Sequence, residues 1–163
     1  MSVEDDLRRI EEQERRLVLQ RFDPAEAWRL GVALKEAAEA RGAGVAIDIT
    51  VNGHTLFHVA LAGTAPDNAE WIRRKRNLTL RLFRSSYAVG LKLQQSGATL
   101  QVKYGLPETD FAAHGGSFPL SLEGVGCVGA VTVSGLPQRQ DHVLVVEMLA
   151  RFLARDIGDV RLE

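Results

Sequence analysis

The fold is decided by residues 45–61, VAIDITVNGHTLFHVAL. Apolar side chains occupy every second position from Val45 to Val51, and Asn52-Gly53 is a strong signal for a two-residue hairpin turn. A two-residue loop places Ile47 opposite His58, and it leaves apolar side chains on both faces of the hairpin. We therefore expect helices to cover at least part of each face.

Helical patterns flank this hairpin. Residues 3–22 predict one charged amphipathic helix, and a second helix, capped by Asp23, ends near Arg41. Beyond the hairpin, the pattern predicts helices opening near 65–68 and 85–86 and an irregular or weakly helical segment at 98–113. Strands near 117–122 and 126–133 and a helix ending near 155 complete the chain. The order α-α-β-β-α-α-β-β-α indicates a single α+β domain over residues 1–163.

Composition narrows the class of protein. The 163 residues are 45% hydrophobic and 25% charged, which describes a folded domain. Twenty basic against 21 acidic residues give a net charge of −1, which argues against nucleic-acid and anionic-membrane partners. One cysteine excludes an internal disulfide and a multi-cysteine metal site. The charged first 16 residues carry no secretion signal, and no apolar run is long enough to span a membrane, so we expect a cytoplasmic protein.

Residues 111–142 hold the densest set of chemically useful groups. Glycines in the turn HGGSFP (114–119) let backbone N–H groups face a ligand, and the start of the last helix favours an anion. On the preceding basic helix, Lys75 lies on the apolar stripe, where it either snorkels to solvent or binds an anion at a pocket wall. Turn formation and capping are the competing explanation for the cluster.

From these residues we predict a pocket for an anionic small molecule between the HGGSFP turn, the turn at Ser134-Gly135 and the third helix. The predicted ligand-binding residues are Lys75, Arg76, His114, Gly115, Gly116, Ser117, Ser134, Gly135, Asp141 and His142.

Two other patterns in the sequence do not indicate a binding site. The G-x-G-x-x-G run at 124–129 continues into a strand instead of opening a helix, so it indicates a glycine-rich strand and not a dinucleotide site. His54 and His58 are four residues apart on a strand, which separates them by about 13 Å, too far to ligate one metal ion. We therefore predict no metal site from the residues themselves, and we assign no catalytic residue.

Three segments resemble a known family: RKRNLTLRLFRSSY (74–87), HGGSFPL (114–120) and GCVGAVTVSGLPQRQDHVLVVE (126–147). They are similar to the haem-degrading-domain family, relatives of the glycolate-operon accessory protein and of secreted haem-binding sensor proteins. The longer matches, including WIRRKRN (71–77), resemble the cytoplasmic subgroup. The resemblance covers about residues 5–157.

The resemblance implies a profilin-like antiparallel sheet of about five strands flanked by helices. It also implies homo-oligomers, in which the helix of residues 1–22 is the expected contact. If the ligand is haem, His114 is the first candidate for the axial ligand, followed by His142 or His58, with the propionates on the basic helix. The competing function is a non-enzymatic module for assembly or for protein-handling partners. Whether the chain is an enzyme stays open.

Overall fold

The computed structural model describes residues 1–163 and contains the elements that the sequence predicts, with one more helix. The helices are α1 (Val3–Arg16), α2 (Pro24–Ala40), α3 (Pro66–Leu82), α4 (Ser86–Ser96), α5 (Leu100–Tyr104) and α6 (Gln138–Phe152). The strands are β1 (Ala46–Val51), β2 (His54–Ala60), β3 (Ser117–Leu122) and β4 (Gly126–Ser134), and a 3-10 turn spans Gly158–Val160. The α+β class is confirmed, and the weakly helical segment holds the short α5.

The sheet has four antiparallel strands in the order β2-β1-β4-β3, so the expected number of about five is one too high. Residues 17–23 lie between α1 and α2, outside any helix or strand, and they contribute only one isolated bridge, between Leu19 and Leu122 of β3. The predicted helix over 3–22 is therefore too long. Burial of Leu17 and Leu19 in the core outweighs one more helical turn.

A β-bulge changes the predicted register of the first hairpin. Val51 pairs with His54 as expected, but Ile49 pairs with Phe57, which leaves Leu56 as an extra residue on β2. Beyond the bulge the register is shifted by one residue, so His58 lies opposite Asp48 and not opposite Ile47. The shift brings an imidazole and a carboxylate together, with His58 Nδ1 3.1 Å from Asp48 Oδ2.

The two faces of the sheet differ in polarity. One face packs against α2 and α6 and forms the main hydrophobic core, which includes Ile47, Val131 and Phe118. The opposite face packs against α3 and buries polar side chains instead. These are Asp48, Thr50, Ser117, Thr132 and Ser134 on the strands and Lys75 and Thr79 on α3. Helices cover both faces, as expected, but the strand residues on the α3 side are mainly polar, with Ala46 and Ala130 among the few buried apolar ones. This buried polar layer leads to the site.

Helix α1 is integrated into the fold. Leu7 and Ile10 pack in a second apolar cluster with Tyr87, Leu91 and Leu162. Salt bridges from Arg16 to Asp159 and from Arg84 to Glu14 fix its polar sides. Its apolar face is thus covered within the chain, and the predicted oligomer contact through this helix would have to use charged side chains. No helix of the structure combines the length and apolar character needed to cross a membrane.

Candidate functional site

A cavity of about 280 Å³ lies where the sequence predicts the pocket, between the first half of α3, the turn after β4 and the start of α6. It brings together five of the ten predicted residues from four distant segments. Its lining residues are Asp67, Asn68, Trp71, Lys75, His114, Ser134, Gly135, Leu136, Gln138 and Asp141. Residues 67, 71 and 75 follow a spacing of four, which places them on one face of a helix.

The floor of the cavity is a buried ion pair between α3 and α6. Lys75 Nζ lies 3.0 Å from Asp141 Oδ2 and donates a second hydrogen bond to the Val133 carbonyl at 3.2 Å. Their side chains are 4% and 2% exposed, so Lys75 does not snorkel to solvent. Burial lowers the pKa of Lys75 and raises the pKa of Asp141, and mutual attraction opposes both shifts without cancelling them.

Asp141 also occupies the backbone donors that an anionic ligand would use. Its carboxylate accepts hydrogen bonds from the N–H of Leu136 at 3.0 Å and from the N–H of Gly135 at 3.4 Å. A carboxylate built into the chain thus fills the position between Lys75 and the turn after β4. Any small anion binding there would have to displace it.

Two N–H groups of the HGGSFP turn also donate to acceptors within the chain. The N–H of Gly115 donates to Gln138 Oε1 at 3.1 Å, and the N–H of Ser117 donates to Ser86 Oγ at 3.0 Å. Gly116 has a φ of +135°, and a β-carbon there would lie 2.3 Å from the Val133 carbonyl oxygen and 2.9 Å from Lys75 Nζ. Glycine is required at this position because the backbone passes directly over the buried pair.

His114 stands at the mouth of the cavity. Its ring packs edge-on against Trp71 with 5.2 Å between centroids, and the guanidinium of Arg74 covers the same tryptophan at 4.6 Å. Partial burial lowers the pKa of His114, and the charges of Lys75 and Arg74 lower it further, which favours the neutral imidazole. Both ring nitrogens are free of hydrogen bonds to the chain.

A second cavity, of about 230 Å³, adjoins the first at His114. It is more apolar, with Leu93, Leu100 and Phe111 among its lining residues, and it also contacts Arg74. The imidazole of His114 therefore lies on a wall common to a polar cavity and an apolar one.

Five of the ten predicted residues do not line the cavity: Arg76, Gly115, Gly116, Ser117 and His142. Ser117 is buried in the sheet, where its hydroxyl accepts from Thr132 Oγ1 at 3.0 Å. Arg76 and His58, the third haem-ligand candidate, both contact the buried carboxylate of Asp48, at 3.1 Å each. Both side chains bind Asp48, which lies on the polar face of the sheet. The predicted hairpin register placed His58 opposite Ile47, so it did not show this contact.

His142 also lies outside the cavity, on another face of α6. Its Nε2 is 3.0 Å from Gln13 Oε1, and its ring packs against Tyr87 and Phe118. Burial lowers the pKa of His142 to about 3, with a smaller contribution from the charge of Arg139. A buried neutral imidazole bonded to α1 is a structural group, and the fold would have to open before it reached a ligand.

This depressed pKa predicts a loss of stability in acid. The unfolded chain protonates His142 near pH 6.5, whereas the folded chain does not until about pH 3, so stability falls as the pH drops through this interval. Between about pH 7 and about pH 4.5, we expect His142 to account for roughly 2–3 kcal/mol of lost unfolding free energy. Urea unfolding at both values should show this loss in the wild type and a smaller one in His142→Phe. An equal loss in both proteins would contradict the assignment.

A larger cavity, of about 660 Å³, lies elsewhere, between α6 and the C-terminal residues. It contains three arginines, but Arg41 and Arg161 both pair with Glu147, and Arg139 pairs with Asp6. No histidine lines it. With its charges paired inside the chain, it is a weaker candidate than the cavity at His114.

The sequence reasoning missed several cavity residues. Asp67, Asn68 and Trp71 precede Lys75 on the same helical face, and this spacing was a signal for them. Gln138 carried no such signal, because its role depends on the contact between α6 and Gly115.

Comparisons with known proteins identify relatives by sequence and by fold. The family model described as haem degrading protein HbpS-like matches residues 22–150. The protein UPF0303 RL3365 of Rhizobium johnstonii is 56% identical over 162 residues, which is 99% of both chains. The crystal structure of Ybr137w superposes with a TM-score of 0.84 at 33% identity, covering 91% of this chain and 87% of that one.

A more distant structure, of a PduOC:haem complex, superposes with a TM-score of 0.67 at 19% identity, over 82% of this chain and 94% of that one. This likeness supports the fold alone. The match of the family model, together with more than half of the residues identical to a full-length relative, decides the family. The chain belongs to the HbpS-like family of haem-degrading proteins.

Proposed function

We propose that this protein binds haem, with His114 as the axial ligand at the mouth of the cavity. The observation that carries the proposal is the position of His114, which lines two cavities and whose ring nitrogens are free of hydrogen bonds to the chain. Its lowered pKa favours the neutral form that can bind a metal. His58 and His142 already have partners in the chain. The name of the family supports the same ligand.

The residues around His114 fit a haem that lies across the mouth of the cavity and is not enclosed by it. The cavity of about 280 Å³ is at the lower limit of ligand sites, which run from about 300 to 1,000 Å³, whereas the two adjoining cavities together lie within that range. Phe111 and Leu100 offer apolar contact on one side, and Arg74 offers a cation for a propionate. Bound haem would supply an iron centre whose reactivity depends on this axial imidazole.

A small free anion is supported less well. Lys75 and the N–H groups of Gly135 and Leu136 already bind the carboxylate of Asp141. Asp67 adds a second carboxylate to the lining. The cavity thus has few unsatisfied donors for an anion, whereas the imidazole of His114 is available to a metal centre.

Haemin titration tests this proposal. We expect a saturable Soret shift in the wild type and at least about tenfold weaker binding in His114→Ala, because one axial bond is lost. His54→Ala is the matched control, since His54 is exposed at the hairpin turn and should leave binding unchanged. A shift that is not saturable, or that is equal in both variants, would favour the alternative of a non-enzymatic assembly or protein-handling module.

We also propose that the protein forms homo-oligomers, and that the edge of β2 is a contact. Leu19 covers the edge of β3, where its N–H donates to the Ser121 carbonyl at 2.9 Å. The outer edge of β2 has no such partner, and an unpaired edge is a template for pairing with another chain. Beside it, the indole of Trp28 is 63% exposed and packs against Phe57 of β2.

The cytoplasmic location predicted from the sequence stays a prediction.

Sedimentation of Trp28→Glu measures this contact. We expect the wild type to sediment as an oligomer and the variant to dissociate at least about tenfold more readily, because a charge would enter an apolar contact. Val102→Glu is the control, since Val102 is 81% exposed on α5, away from β2. A wild type that sediments as a 17.9 kDa monomer would contradict the proposal.

A further inference from the structure

Lys75 differs from the other lysines of the chain. Lys35, Lys92 and Lys103 are partly or fully exposed, whereas Lys75 is 3% exposed and lines a cavity. We propose that Lys75 is a carbonyl-reactive amine that forms a reversible imine with small, neutral, hydroxylated aldehydes entering this cavity. The inference goes beyond haem binding and does not depend on it.

The geometry supplies a nucleophile with an adjacent proton carrier. Lys75 Nζ contacts Asp141 Oδ2 at 3.0 Å, and the Val133 carbonyl at 3.2 Å fixes its direction. The backbone of Gly116 packs tightly against Nζ, since a β-carbon at that glycine would approach within 2.9 Å, and Lys75 lines the cavity through which an aldehyde would enter. Burial lowers the pKa of Lys75 and raises that of Asp141, which favours transfer of a proton from the amine to the carboxylate.

The reaction balances without a further reagent. The Lys75 ammonium passes a proton to Asp141, and the neutral amine forms a C–N bond to the aldehyde carbon as the C=O π electrons move to oxygen. A proton moves from nitrogen to that oxygen, which gives a carbinolamine. Asp141 then returns its proton to the hydroxyl, the C–O bond breaks, and water leaves as the nitrogen lone pair forms the protonated imine.

The lining selects the class of aldehyde. A cavity of about 280 Å³ admits only a short chain. Ser134, Gln138 and Asn68 provide hydrogen-bonding groups for hydroxyls. Asp67 and Asp141 repel a carboxylate, so keto acids are disfavoured. Short hydroxyaldehydes combine the size, polarity and neutral charge that remain.

Reductive trapping tests the proposal on the folded wild-type chain without haem. The protein is incubated with glyceraldehyde and cyanoborohydride at about pH 7, and the four lysines are quantified by peptide mapping. We expect labelling of Lys75 to be faster than that of Lys35, Lys92 or Lys103, since burial lowers the pKa of Lys75 and Asp141 lies beside Nζ to accept its proton. Pyruvate under the same conditions should not label Lys75.

Two further measurements separate reactivity from a structural role. Labelling of the exposed lysines should rise about tenfold for each pH unit, whereas labelling of Lys75 should rise less steeply. Asp141→Asn should slow trapping at Lys75 without changing the rate at Lys92, in a protein whose circular dichroism shows that it is folded. Unlabelled Lys75 in folded wild type, or labelling of Lys75 only in denaturant, would overturn the proposal.

Discussion

Replacing Asp141 with alanine is expected to lower the free energy of unfolding by about 3–5 kcal/mol, because the Lys75 ammonium would stay buried without a counter-ion. The variant would also deprive the N–H groups of Gly135 and Leu136 of their acceptor. These contacts join α3, α6 and the turn after β4, so the loss should appear as a global change in urea unfolding. Buried unpaired charges are among the most destabilising defects in a folded protein.

Two controls separate the pair from its surroundings. Asp110→Ala breaks an exposed pair with Arg73, and it should cost less than about 1 kcal/mol. The double variant Lys75→Met with Asp141→Leu removes both charges, and it should be more stable than Asp141→Ala alone. If Asp141→Ala costs no more than Asp110→Ala, the buried pair does not stabilise the fold as we argue.

The second large effect is expected at Phe118, which follows the glycine turn. Phe118 is 1% exposed, and its ring lies 6.0 Å from that of His142 in the main core. Phe118→Ala should lower the free energy of unfolding by about 3–5 kcal/mol, because it removes buried apolar area and leaves a cavity.

Phe83→Ala is the matched control for Phe118→Ala. The same side chain is deleted, but Phe83 is 60% exposed after the end of α3, so we expect a change within about 0.5 kcal/mol. Chemical denaturation of both variants measures the difference. Similar losses in the two proteins would mean that the packing of Phe118 contributes little.

These expectations divide the HGGSFP motif into two parts. Its first residue, His114, faces the cavity, and Gly116 lets the backbone pass over the buried pair. Its later residues Ser117 and Phe118 belong to the sheet, where one joins the polar layer and the other the core. The motif thus positions a site and also begins a strand, so substitutions within it should separate into effects on binding and effects on stability.

Local patterns in the sequence predicted the elements of this fold. The alternation before Asn52-Gly53 predicted the hairpin, and the capping residue Asp23 predicted the start of α2. The place of the cavity was also predictable, because glycines, a helix start and the stripe on α3 each signal a close approach of the backbone or a buried face. Such signals depend on residues a few positions apart, so they can be identified without knowing the tertiary structure.

Only the tertiary structure determined which buried polar groups pair with one another. Lys75 meets Asp141 across 66 positions, and His142 meets Gln13 across 129. The bulge at Leu56 reassigns His58 from Ile47 to Asp48, a change that the hairpin turn does not dictate. Propensity and periodicity act within a turn or a strand, whereas the pairing of buried polar groups depends on which elements pack together. A buried charge needs a partner, which only the packing of distant elements can supply, and this packing determines which side chains line the cavity.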